Sequence, residues 1–335
     1  MEAAKPEDMR WNIAFCNVTY TEYAGVTYAD YYGSPAVMLE AQLAANEYAE
    51  RRWGVGRWIA PRVDTPSCTL ASYLGMPVVW PDDGDELPYI DSKRPVVGDP
   101  SEVESLHIGD PREEGLMATR YQYWEYYRER GYEVGFGAGG GNVVTVACEI
   151  TDGAVLGWLL EAPDAARRLL ELVVEMQETL GRFGAELAGQ TFAGFGYSGD
   201  DYSGLMSPAM YREFVLPCYE RLYAGHEQRF MHSELLRAPH LRIAREELGI
   251  TDFHGAGCEL LTLEEMYEIM GSAFWTQLTP QEMLEFTPAQ IDARITEFAA
   301  SGCHRVQLYP GRGTPEANMD AAIAACEREC PGGML

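Results

Sequence analysis

Between residues 273 and 309 the chain reads AFWTQLTPQEMLEFTPAQIDARITEFAASGCHRVQLY. The segment spells strand, helix, strand: 273–278 and 305–309 as strands, joined by a helix that Thr287-Pro288 opens and that runs to Ala300. Working outward, the same alternation continues. Thr314-Pro315 opens a last helix to about 329. Upstream lie a helix over 263–270, a strand over 250–253, a helix over 235–248 and a strand over 228–232. Ser207 caps a helix to about 223, with Pro208 just inside it. Residues 190–196 are strand-like, and 162–187 form a long helix with Pro163 in its first turn. That helix repeats apolar residues at Leu169, Leu172, Val173, Met176 and Leu180. A β-α unit at roughly 30-residue spacing implies parallel strands with crossover helices. The unit count favours an α/β fold of the closed (β/α)8 TIM barrel type, with an open doubly wound sheet as the other architecture. The first hundred residues fit less cleanly. Residues 35–52 read as a helix, and 78–97 as short β-like runs around Pro81-Asp82-Asp83-Gly84, a hairpin.

The chain has 335 residues, and 25 Lys+Arg against 52 Asp+Glu give a net charge of −27. Phosphate polyanions need a basic surface, so nucleic acid and anionic membrane are disfavoured as partners. Only two lysines occur, Lys5 and Lys93. No phosphate loop of the G-x-x-x-x-G-K-[ST] kind exists, and neither lysine is placed for Schiff-base chemistry. The eight cysteines (Cys16, Cys68, Cys148, Cys218, Cys258, Cys303, Cys326, Cys330) form no C-x-x-C pair. With no secretory h-region and no long apolar run, the expectation is a cytoplasmic protein with free, buried cysteines.

Residues 200–217 read DDYSGLMSPAMYREFVLP. An acidic pair followed by G-L-x-S-P-x-x-Y-R-E-F-V-x-P resembles the uroporphyrinogen decarboxylase superfamily, which includes the corrinoid-dependent methyltransferases. Other segments align in order. Phe230-Met231-His232-Ser233-Glu234 stands where the family has H-x-C-G, and Gln277-Leu278-Thr279-Pro280 where it has G-N-x-D-P. Residues 309–318 resemble its P-G-C-G…P-x-x-N. The resemblance covers about 20–330. It implies a single barrel domain over 1–335, with 1–75 as an N-terminal extension packing on the barrel. Decarboxylase members carry an arginine-rich M-R-Q-A-G-R-Y segment. The corresponding Trp11–Tyr20 stretch has no arginine, and the −27 charge is awkward for a polycarboxylate substrate. The methyltransferase branch is the more similar one.

Thiol-methylating members of that branch bind zinc through H-x-C and the cysteine of P-G-C-G. The matching positions are His232, Glu234 and Arg312, and arginine offers no lone pair to a metal. His232 and Glu234 stand two apart at a strand end and can face one side. His254 ends the next strand and could supply a third zinc ligand, with Cys258 in the same loop. A His/Glu set is harder than a thiolate set and suits an ether or alkoxide oxygen. The expectation is therefore a small methylated donor, an aryl methyl ether for example, whose methyl group passes to a Co(I) corrinoid. Zinc, or an acid such as Asp200 or Glu234, would assist. No D-x-H-x-x-G motif is present, so the corrinoid is expected on a partner protein. The alternative for Arg312 and Glu234 is an ion pair in the metal's place, or Arg312 meeting a substrate carboxylate. The alternatives for the whole chain are a metal-independent decarboxylase or lyase, and a non-catalytic binding protein.

Gly135-Phe136-Gly137-Ala138-Gly139-Gly140-Gly141 contains G-x-G-x-x-G, but the following Asn142-Val143-Val144-Thr145-Val146 is a weak helix opening. Dinucleotide binding is disfavoured. Gly137, Gly139 and Gly140 are expected instead to let a planar ligand, or a partner's corrinoid, approach the backbone. The aromatic run 121–127 reads as a helix packing on the core.

Overall fold

The computed structural model describes residues 6–56, 60–137 and 142–335. In chain order its strands are β1 (Arg10–Ile13), β2 (Val78–Val79), β3 (Tyr89–Ile90), β4 (Tyr197–Gly199), β5 (Phe230–His232), β6 (Asp252–His254), β7 (Phe274–Leu278) and β8 (Arg305–Leu308). Two compact units result. One holds Met1–Gly25, Gln42–Ala60 and Gln228–Leu335, the other Val26–Ala41 and Pro61–Glu227. The expected N-terminal extension is thus divided between the units.

The first unit contains a parallel sheet in the order β1-β8-β7-β6-β5. Side chains alternate across it. One face carries Trp11, Phe253, Phe274, Val306 and Leu308, all buried. Helices Leu263–Met270 and Pro288–Ala300 pack on the sheet, the latter through buried Ile291, Ile295 and Phe298. Both helices have a threonine N-cap accepting from the third helical N–H, Thr262 and Thr287. Asn318 of the P-x-x-N motif is buried, and its amide donates to the Met283 and Phe286 carbonyls at 2.8 and 2.7 Å. It clamps helix Glu316–Glu329 to the turn after Pro280–Glu285. Arg52 reaches the same helix, with Nη2 2.6 Å from Asp320 and Nε 3.1 Å from Glu316. All eight cysteines are free and buried.

The second unit is built on helix Pro163–Leu187, where Pro163 sits at the first position and Leu169, Leu172, Val173, Met176 and Leu180 form its buried stripe. Ser207 accepts from the Met210 N–H and Pro208 follows it, as the spacing predicts. The helix so begun passes through a π-helical stretch, Tyr211–Val215, before Leu216–Leu222. Pro217 has no N–H and its ring would meet the carbonyl four residues back in a regular helix, so wider turns upstream open that position. β2 and β3 pair antiparallel as the expected hairpin. Helix Gly115–Glu129 buries Tyr123 and Tyr127, in keeping with a core-packing role for the aromatic run.

Two expectations shift. Residues 142–146, weak helix formers, nevertheless open helix Val143–Thr151, because a carboxylate from elsewhere in the unit caps it (below). Residues 190–196 are not a strand; the strand is β4, immediately after. Gly194 has φ +99°, outside the strand region, and the next N–H, that of Phe195, bonds to the Leu222 carbonyl at 2.7 Å. A Cβ on Gly194 would lie 2.3 Å from the Ala224 carbonyl oxygen. Gly194→Ala is therefore expected to cost about 3 kcal/mol or more, since strain at positive φ adds to a backbone clash. Urea denaturation of the two proteins measures the difference.

Candidate active site

The opposite face of the first unit's sheet is polar. Register places Arg305 of β8 beside Trp275 of β7, Trp275 beside His254 of β6, and His254 beside His232 of β5. Neighbouring strands lie about 4.8 Å apart, close to the spacing of stacked rings. The four side chains make a continuous row of contacts. The Arg305 guanidinium lies 4.5 Å from the Trp275 ring centre, and the His254 ring stacks on Trp275 at 3.8 Å and 12°. His232 and His254 rings are 4.9 Å apart, and their Nδ1 atoms approach to 3.0 Å. The row runs diagonally, from the first residue of β8 to the last residues of β6 and β5. Barrel enzymes carry their sites at these carboxyl ends. One step further along, Asn12, Gln307 and Gln277 form an amide chain, with N–H···O distances of 3.0 and 2.6 Å.

The His232–His254 contact carries one proton between two nitrogens. His254 is 5% exposed, and burial first, then His232 and Arg305, lowers its pKa to about 2. His254 is thus held neutral, and its Nδ1 accepts when the hydrogen of the contact is on His232 Nδ1. That fixes the His254 tautomer with its hydrogen on Nε2. The His254 Nε2 atom is itself buried with no protein partner among the described residues.

Other expected site residues are placed differently. Glu234 and Arg312 are exposed, in loops after β5 and β8. Cys258 is buried and its thiol donates to the Leu236 carbonyl at 3.3 Å. Two histidine nitrogens on one tetrahedral zinc would stand about 3.3 Å apart, near the observed spacing. A third donor is not assembled with them. Among the described residues no group of three or more His, Cys, Asp or Glu is placed to hold a metal. The described donor set does not fit the expected zinc site. Gly137 has φ +59°, and a Cβ there would meet Arg120 Nη2 at 2.8 Å. Gly139 and Gly140 lie outside the described residues.

Asp200 belongs to the second unit and is 4% exposed. Its carboxylate accepts from the Val144 and Thr145 N–H groups at 2.9 and 3.0 Å, the Thr145 hydroxyl at 2.9 Å and the Tyr219 hydroxyl at 2.5 Å. It is the cap of helix Val143–Thr151. Burial raises its pKa to about 6 against the pull of these four donors.

Sequence reasoning missed Trp275, Arg305, Asn12 and Gln307. The signal was present: Trp275/Gln277 and Arg305/Gln307 are bulky polar pairs two apart in strands that otherwise read apolar, which marks one face.

The profile of the uroporphyrinogen decarboxylase (URO-D) family matches residues 9–304. The chain belongs to this family. Among solved structures, a methyltransferase from Methanosarcina mazei matches with a TM-score of 0.69 at 16% identity, covering 98% of this chain and 94% of that one. Comparison with curated protein sequences gives no match. The fold class is the α/β barrel of the uroporphyrinogen decarboxylase family, as the strand–helix period indicates. Among the described residues no single helix is long and apolar enough to cross a membrane.

Two outcomes test this geometry. With the folded pKa of His254 near 2, the unfolded chain binds one more proton than the folded one between there and pH 6.5. The contribution of His254 to stability should fall as pH drops from 6.5, by up to about 1.4 kcal/mol per pH unit for one proton, whereas Asp200, whose folded pKa is raised, contributes in the opposite sense below about pH 6. His254→Phe should remove the His254 contribution in denaturation series at pH 4–7. Separately, Asp200→Asn replaces an ionised acceptor by an amide facing N–H donors, and should cost about 2–3 kcal/mol.

Proposed function

We propose that this chain is a methyltransferase that takes a methyl group from a small methylated oxygen compound and hands it to the Co(I) of a corrinoid carried by a partner protein. Family membership and the shared fold of the Methanosarcina mazei methyltransferase support the reaction class. The observation that carries the reading is the His232–His254 pair at the strand ends. The corrinoid, when bound, supplies the nucleophile. The substrate's C–O bond breaks and its electron pair stays on oxygen, so the leaving alkoxide or phenolate needs a hydrogen-bond donor or a proton. His254 Nε2–H is that donor. As it gives up its proton, His254 Nδ1 takes the one on His232 Nδ1, and half-exposed His232 recovers a proton from water. A buried, neutral His254 keeps the donor free of a competing water shell, which strengthens its action on the developing charge.

The expected result is demethylation of aryl methyl ethers by the purified protein with cob(I)alamin, insensitive to chelators. His232→Ala and His254→Gln should each lower kcat by about 10²–10³. Loss of activity on chelation and recovery with zinc would sink the proton-relay account. Release of CO2 without methyl transfer would instead select the metal-independent decarboxylase reading, which the same relay would serve by protonating a carbanion.

A further inference from the structure

Four buried polar atoms on the polar sheet face have no protein partner among the described residues: Trp275 Nε1, Arg305 Nε, His254 Nε2 and Asn12 Oδ1. They come from four strands, yet strand register places all of them on one face. Trp275 and His254 are more than nine-tenths buried. Each such group would cost free energy if it stayed unpaired, and natural structures leave few of them so. The set has a sign. Trp275 and Arg305 can only donate, and His254 donates when His232 carries the proton. Asn12 Oδ1 is the single obligate acceptor.

Charge points the same way. Arg305 pairs in register with Arg10, and its pKa is lowered by burial, with Arg10 adding to the lowering and Asp252 opposing it. Asp252 also holds His304 at 2.8 Å. In a chain of net charge −27, this sheet face gathers Arg10 and Arg305 against Asp252. Such a local excess attracts an anion and repels a cation.

We infer that the polar face of this sheet binds a small-molecule carboxylate, with Arg305 and Trp275 as its donors. The inference deepens the reading above by naming the substrate class. The carboxylate sits toward the amino end of β8, and the diagonal row leads from there to the His232–His254 pair at the strand ends. An anchor at one end and an acid at the other define a methylated carboxylic acid as the fitting substrate. Trp275 is a positioning residue as well, because Arg305 and His254 lean on its two sides. The inward guanidinium is that of Arg305 in β8, whereas Arg312 is exposed in the following loop.

Isothermal titration calorimetry of the full chain, with no methyl acceptor present, tests this. The probes are benzoate, 4-methoxybenzoate and the neutral methoxybenzene. The carboxylates should bind at least tenfold more tightly than methoxybenzene. Trp275→Phe, which keeps an aromatic ring but removes the N–H together with the pyrrole half of the indole, and Arg305→Gln should each weaken 4-methoxybenzoate about tenfold or more. Arg305→Lys, which keeps the charge and loses Nε, should fall between. Thermal melts check that each variant is folded. No preference for the carboxylates, or binding by the folded variants equal to that of the unaltered chain, would overturn the inference and leave these atoms to internal water. Carboxylate binding without methyl transfer would overturn the proposed reaction and keep this site; methyl transfer without it would do the reverse.

Discussion

In-register pairing of parallel strands is the constraint on which the candidate site depends. Parallel neighbours at about 4.8 Å leave little room for any arrangement but direct contact when each contributes a flat side chain at the same level. β5 to β8 each contribute one: imidazole, imidazole, indole, guanidinium. A one-residue slip of any strand would turn its member to the apolar face and break the row. The hydrophobic face therefore does more than stabilise. By fixing the register through Phe253, Phe274 and Val306, it sets the geometry of the polar face opposite.

Much of this fold was legible because its signals are local. Proline at a first helical position marked the starts at Pro163, Pro208 and Pro288, the last two behind a capping serine or threonine, and the structure keeps all three. What failed was decided at a distance. Helix Val143–Thr151 contradicts its β-branched opening because Asp200, more than fifty residues away, supplies the capping acceptor. No window around residue 143 contains that information. The strand assigned to 190–196 failed on Gly194, whose positive φ is set by contact with the 222–224 backbone.

The site was legible in part for the same reason. His232 and His254 could be found because each ends a strand, and adjacent parallel strands bring their ends together. Glu234 and Arg312 drew attention through the family's ligand positions, yet both lie exposed in loops, where spacing carries little geometric force. Asp200 stood beside the strongest family block. Its four donors give it a structural task that no motif announces.

The π-helical turns at Tyr211–Val215 have one more consequence, in phase. Tyr211 and Tyr219 stand eight residues apart, and both bury their rings near Asp200. At about 100° per residue, eight regular steps would leave them roughly 80° out of line. The widened turns absorb about one residue, so the pair behaves as if separated by seven, which closes to within about 20° of two full turns. An extra residue in the helix thus acts as an angular spacer, and it brings two phenols to bear on one carboxylate.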